Sequence, residues 1–184
     1  MARKTFKRID ESENPFDTDL VKPWVEQLPD PKKFQEYYDY IIKSDVMRLD
    51  GPQFGYIETN IKVAREIPED HIVIDAGCGI GWQQVLYQKH KKYIGINYFY
   101  GGHNIRAKKT IDLWPLFPAA YFYQGEFHSV IDKIMEEHNL KPQDDNVTIL
   151  SCVSFFQGEF DDNPSAKLSR NKFEEFKNQI VVVR

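Results

Sequence analysis

The spacing of hydrophobic positions along the chain changes near residue 71. Before it, apolar side chains recur every three or four residues. Phe34, Tyr37, Tyr38, Ile41 and Ile42 fall on one helical face, with Pro31 suited to a first turn, and predict a helix. Asp50-Gly51-Pro52 breaks the chain. Ile57, Ile61, Ala64 and Ile67 then predict a second helix, ended by Pro68-Glu69-Asp70. Residues 1–22 show no such period. A basic start containing Arg3, Lys4, Lys7 and Arg8 runs into Asp10, Glu11, Glu13, Asp17 and Asp19, which predicts a mobile arm.

From residue 71 short β-branched runs alternate with helical stretches. His71-Ile72-Val73-Ile74-Asp75 predicts a buried strand. Glycines follow at 77, 79 and 81, and Trp82–His90 reads as a helix. Lys92–Asn97, Ala120–Gln124, Asn146–Ser151 and Ile180–Val183 predict four more strands. Between them, residues 103–114, His128–Asn139 and the stretch holding Phe173 and Phe176 predict helices. This alternation predicts an α/β fold with a mainly parallel sheet, doubly wound so that helices cover both faces. Residues 1–55 form an arm and a helical lid in this reading, and residues 56–184 the main domain.

Composition narrows the picture. The chain has 184 residues, 41% hydrophobic and 14% aromatic, enough for one well-packed core, and a net charge of −4. That charge provides no general attraction to nucleic acid or anionic membranes. No apolar run approaches the roughly 20 residues that span a bilayer. No apolar stretch follows the basic start, so no secretory signal is read. Cys78 and Cys152 lie far apart and read as free thiols, Cys152 as a core thiol. The expectation is a soluble cytoplasmic protein. Lys89, Lys91 and Lys92, and Arg106, Lys108 and Lys109, are short basic runs read as solvated helix faces. No cluster has metal-ligand spacing.

The candidate chemistry sits in Val73-Ile74-Asp75-Ala76-Gly77-Cys78-Gly79-Ile80-Gly81. Three glycines spaced two apart follow a strand and open a helix, where positive φ and close ligand approach are affordable. A dinucleotide site has G-x-G-x-x-G. Here the last position is Trp82, so that pattern fails. Asp75 beside the loop disfavours a phosphate and suits a ligand with an ammonium and a sulfonium.

The order D-x-G-C-G-x-G resembles motif I of class I S-adenosylmethionine (SAM)-dependent methyltransferases, a Rossmann-like family. The resemblance covers about residues 57–183. It implies a sheet of order 3-2-1-4-5 in the strands read above, SAM as cofactor, and contacts from Asp75, Ala76, Gly77, Cys78, Gly79 and Gly81. It puts the ribose at Asn97, where the family usually has Asp or Glu, and leaves Tyr98 placed against the adenine or simply packed. Gln124-Gly125-Glu126-Phe127 is similar to the step at which an acidic side chain accepts from the adenine amino group, which assigns that role to Glu126, with Phe127 beside it. Ser151 would back the methionine portion.

The end of the fourth predicted strand lacks [DN]-P-P-[YW] and Pro-Cys, which argues against the bases of nucleic acids as acceptors. The implied activity is methyl transfer to a small molecule. The alternative is a non-catalytic protein on the same fold that acts as a binding or regulatory partner. The catalytic residue is unknown from sequence. His103 and His128 are the weak candidate bases, each more readily read as a surface or helix-start histidine. Phe34, Tyr37, Tyr38 and Tyr40 are core positions or substrate-pocket walls. The family fold continues beyond this point through a helix and an antiparallel strand pair, so the chain reads as a shortened version. The predicted last strand, Ile180–Val183, would then be an exposed edge that needs a cover or pairs with a second copy in a homodimer.

Overall fold

A computed structural model of the chain describes residues 3–7, 18–43, 57–98, 114–151 and 162–183. The fold is α/β. Its centre is a single six-stranded sheet in which every pairing is parallel. In chain order the elements are β1 (Lys4–Lys7), α1 (Thr18–Val25), α2 (Pro31–Lys43), α3 (Ile57–Glu66), β2 (Ile72–Ala76), a 3₁₀ segment (Trp82–Tyr87) and β3 (Lys92–Asn97). Then follow β4 (Ala120–Gln124), α4 (Phe127–Glu137), β5 (Val147–Ser151), α5 (Pro164–Glu174) and β6 (Asn178–Val183).

The sheet order is β1-β6-β5-β2-β3-β4, consistent with a Rossmann-like fold. It differs from the expected order because a sixth strand, β1, occupies the edge beside β6. The strands run from β2 outward to β4, and the chain then returns to place β5 on the other side of β2. The carboxyl ends of β2 and β5 therefore flank the point where winding reverses, which is where open parallel sheets leave a crevice.

Strand alternation divides the core into two layers. Val73, Tyr93, Leu150, Ile180 and Val182 point to one face and join residues of α1, α2, α3 and the 3₁₀ segment. Ile74, Ile94, Ile96, Ile149 and Val181 point to the other and pack with Phe127, Ile131, Ile134 and Met135 of α4 and Phe173 of α5. Parallel strands buried on both faces must be apolar at nearly every position, and β2 and β5 are buried throughout.

Three expectations are corrected. Residues 1–22 are not simply an arm, since Lys4–Lys7 form a strand and Thr18–Val25 a helix. The stretch after the glycines is a 3₁₀ segment ending at Tyr87 rather than a helix to His90. The edge of β6 is covered by its own chain, with Lys4 opposite Ile180, Phe6 opposite Val182 and Lys7 opposite Val183. The premise of a homodimer through that strand is therefore removed. Phe6 packs against the core, and ion pairs from Lys4 to Glu66 at 3.0 Å and Arg3 to Glu174 at 3.2 Å flank it. A short outer strand carrying lysines is a common way of blunting an edge. The helix expected over 103–114 lies outside the described residues. No described helix is long and apolar enough to cross a membrane.

Deleting residues 1–7 is expected to lower stability by about 1–3 kcal/mol, from the burial of Phe6 and the lost ladder bonds. It should also make the protein self-associate in light scattering, since β6 becomes an edge. A truncated chain as stable and as monomeric as its parent would show that β1 contributes nothing.

Candidate functional site

The glycine-rich loop leaves β2 at Ala76 and must turn back at once to start the 3₁₀ segment. It does so with φ of 91° at Gly77, 58° at Gly79 and 75° at Gly81, conformations that cost an L-residue roughly 1–2 kcal/mol each. The turn is pinned to the neighbouring strand. The Gly77 and Cys78 N–H groups both donate to the Ile96 carbonyl, at 2.7 and 3.0 Å, and the Gly81 N–H donates to the Cys78 carbonyl at 2.9 Å. A Cβ built on Gly79 would meet nothing within 4 Å, so this glycine faces open space.

The loop is also held from α2 and from the chain after residue 113. Tyr37, fully buried, donates its hydroxyl to the Ile80 carbonyl. Gln84, fully buried in the 3₁₀ segment, donates to the carbonyls of Gly81 and Trp114, each at 3.0 Å, and accepts from the Leu116 N–H at 2.8 Å. Lys33 of α2 donates to the Pro115 carbonyl at 2.6 Å, and Tyr40 stacks on Trp114 with ring centroids 5.6 Å apart. Of the four aromatic candidates on α2, Phe34 and Tyr37 are core residues, Tyr38 is half-buried and Tyr40 is exposed.

Asp75 lies beneath the loop rather than at its surface. It is 1% exposed and accepts a hydrogen bond from the Tyr93 hydroxyl at 2.7 Å. Burial is the larger influence and raises its pKa to about 7, while the bond from Tyr93 opposes the rise. Tyr93 stacks on Tyr87 at 5.4 Å. Burial likewise pushes the Cys78 thiol upward, with the charge of Asp75 adding to it. A low-dielectric pocket thus holds an acid, a phenol and a thiol whose ionised forms are each disfavoured by burial.

The sheet brings the other sequence-identified positions to the same edge. Asn97, 5% exposed, ends β3 and its carbonyl accepts from the Gly125 N–H at 3.0 Å. Ser151, fully buried, ends β5. Tyr98 follows Asn97 and is 53% exposed. Glu126 precedes α4 as its N-cap without a side-chain capping bond, and Phe127 behind it is buried in the opposite layer. His128 is held on both sides. Its Nδ1 lies 3.1 Å from the Ser169 hydroxyl and its Nε2 3.5 Å from the Glu126 carboxylate. It is thereby grouped with Glu126 and α5. His103 and Cys152 lie outside the described residues, as do Arg106, Lys108 and Lys109. Among the described residues no group of three His, Cys, Asp or Glu could hold a metal ion.

Sequence reasoning missed Tyr93, Gln84 and the role of Tyr37. Tyr93 was detectable, since β3 pairs with β2 in a register that sets Tyr93 opposite Val73 and so on the face of Asp75. Gln84 had no signal beyond being a polar residue in an apolar stretch.

No protein-family model matches the chain, and no curated protein matches it.

Two outcomes test this geometry. Gly95 lies under the loop, and a Cβ there would sit 2.7 Å from the Phe122 ring and 2.9 Å from the Cys78 sulfur. Gly95→Ala is expected to cost about 1–3 kcal/mol in a urea titration, the usual penalty of overpacking. The second outcome concerns Asp75, whose folded pKa of about 7 lies above the unfolded carboxylate value. The native state therefore holds an extra proton between about pH 4 and 7. Stability from this group is greatest at the acid end and falls as pH rises, by about 4 kcal/mol in all for a shift of about three units. Asp75→Asn should flatten that fall when midpoints are compared from about pH 5 to 8. An unchanged slope would show that Asp75 ionises freely in the fold.

Proposed function

We propose that the chain binds SAM at the carboxyl edge of the sheet and transfers its methyl group to a small-molecule acceptor. The observation that carries the reading is the positive-φ triple-glycine loop at the winding reversal, with open space at Gly79 and a buried acid beneath. The donor set fits this cofactor better than a nucleotide phosphate. Two loop N–H groups are already spent on Ile96, and the segment that follows is a short 3₁₀ turn. A phosphate site would need those donors and an α-helix N-terminus.

The loop Gly77–Gly81 would hold the methionine end, Asn97 the ribose hydroxyls and Glu126 the adenine amino group. SAM, when bound, supplies a methyl group activated by the adjoining sulfonium. The protein's part is positioning and exclusion of water. Asp75 offers negative charge beneath the loop once a cation makes its ionised form favourable. Tyr40 and Trp114 form an aromatic wall beside the loop, on the side of α2. His128, already engaged by Glu126 and Ser169, fits a role in orienting Glu126 better than that of a free base.

Calorimetric titration with SAM and S-adenosylhomocysteine tests the reading. Binding of both is expected. Gly79→Val should abolish it, because a branched Cβ would fill the open space and resist the left-handed backbone. Asn97→Leu should weaken it by about 1–3 kcal/mol, by leaving the ribose hydroxyls unpaired. A folded Gly79→Val variant with undiminished affinity would sink the assignment. Binding without turnover across a panel of phenols, amines and carboxylic acids would favour the non-catalytic alternative.

A further inference from the structure

We infer that Lys92, His138, Tyr123 and Glu137 form an acid-released latch that fastens the end of α4 to the last two strands on one side of the sheet. Those strands are β3 and β4, with β4 the end strand among the described residues. The chain passes from β4 almost directly into α4, so strand and helix are joined at one end by Gly125 and Glu126. The latch joins them again at the far end of the helix, where His138 is the C-cap, and takes in Lys92, the first residue of β3. It makes no use of the glycine-rich loop and is independent of the SAM reading.

The contacts permit one arrangement of protons. The Lys92 Nζ lies 2.8 Å from His138 Nδ1, and an ammonium can only donate, so Nδ1 is the bare nitrogen. A neutral imidazole has one N–H, which therefore sits on Nε2, 2.8 Å from the Tyr123 hydroxyl oxygen. Nε2 donates to that oxygen. The Tyr123 O–H is left to donate to Glu137 Oε1 at 2.7 Å. Four side chains from three elements are thus linked in one direction, each donor with an acceptor. The His138 ring is also seated against Tyr121, edge to face at 4.8 Å, and the Lys92 ammonium lies 5.2 Å from the centre of the same Tyr121 ring.

A second proton on His138 breaks this chain at one point. Nδ1 becomes a donor facing a donor, and an imidazolium then stands against an ammonium. Nε2 still donates to Tyr123, so the break lies between His138 and Lys92. The groups that face the ring are Lys92 from β3, Tyr121 and Tyr123 from β4, and Glu137 from α4 itself, while Lys91 adds like charge beside Lys92. Burial and the Lys92 charge lower the pKa of His138, against the pull of Glu137. A histidine that binds its proton less readily in the folded chain than in the unfolded one contributes stability that is full above the ordinary histidine range. That stability is lost as pH falls through the range. Ile131, Ile134 and Met135 keep the body of α4 on the sheet, so the release is confined to its last turn and to the tie with β3.

The test uses the whole chain with ¹⁵N-labelled histidine and needs no ligand. At neutral pH the Nδ1 resonance of His138 should lie in the range of a bare imidazole nitrogen and Nε2 in that of a protonated one. On acidification His138 should titrate below 6.5, the ordinary histidine value. Lys92→Met should move that titration upward and Glu137→Gln downward, because each removes one of the two charges acting on the ring. Amide exchange reads the release. The His138 and Leu140 amides donate to the carbonyls of Ile134 and Met135. Their protection factors should fall about fivefold between about pH 7.5 and 5, the worth of one hydrogen bond. Asp75 titrates in part of this range with the opposite effect on global stability, so these local amides, and not the unfolding midpoint, are the measure. His138→Phe should keep their protection level with pH. Lys92→Met should do the same at a lower value, and it decides the matter if His138→Phe does not fold. Protection that stays level while His138 titrates, a titration that Lys92→Met leaves in place, or a proton on Nδ1 at neutral pH would each overturn the latch.

Discussion

The double acceptance at the Ile96 carbonyl organises the centre of this molecule. By binding the N–H groups of both Gly77 and Cys78, it forces the chain leaving β2 to lie flat against β3 instead of rising away from the sheet. A chain held that low can turn only through left-handed backbone, hence the glycines at 77, 79 and 81. It also needs room underneath, which Gly95 provides by letting Phe122 and the Cys78 sulfur close over a position with no side chain. The lowered loop presents the Ile80 carbonyl to Tyr37, so α2 docks by a hydrogen bond as well as by apolar contact. Loop geometry, the docking of α2 and strand composition thus share one cause.

The same closeness explains the electrostatics. With the loop pressed down, Asp75 is cut off from water and left with one donor, Tyr93. One neutral hydrogen bond does not repay the desolvation of a carboxylate, so the pKa of the acid is raised to about 7. Tyr93, which makes that bond, packs in turn against the rings of Tyr87 and Phe122. A fold does not ordinarily keep an acid in such a place for stability alone, because an apolar residue of similar size would pack without the penalty. The cost is intelligible if the charge is used when a cation arrives.

Much of this was legible in the sequence, and the reasons it was or was not are physical. Strands β2 to β5 were readable to within about a residue because strands buried on both faces leave continuous β-branched runs. The loop was readable because only glycine suits its backbone. β1 was not, since Lys-Thr-Phe-Lys is too short to establish a period of two and sits among charges. That omission also produced the false exposed edge. The 3₁₀ segment reads as a helix because Trp82, Val85 and Leu86 stand three and four residues apart, and six residues are too few to separate a period of 3.0 from one of 3.6. His128 read as a candidate base because sequence shows a histidine near the site but not the two groups already bound to it. Gln84 and Tyr37 act through backbone carbonyls brought close only by the tertiary fold, so no spacing announces them.

The distribution of donors and charge also argues about the sign of the ligand. Nucleotide sites on parallel sheets place free N–H groups and the positive end of an α-helix at the turn after the first strand. Here the corresponding N–H groups point into the sheet, the following segment is six residues of 3₁₀ helix with a weaker axial dipole, and the nearest ionisable group is an acid. An anion at this turn would meet few donors and a potential negative charge. A cation at the turn would have beneath it, across the loop, a carboxylate that ionises at little further cost near neutral pH. At the other end of β2 the balance is reversed, since a cavity there is lined by Arg65 and Lys89 with Glu69 as its one carboxylate. The ionisable side chains at the two ends of one strand thus carry opposite net charge once Asp75 ionises.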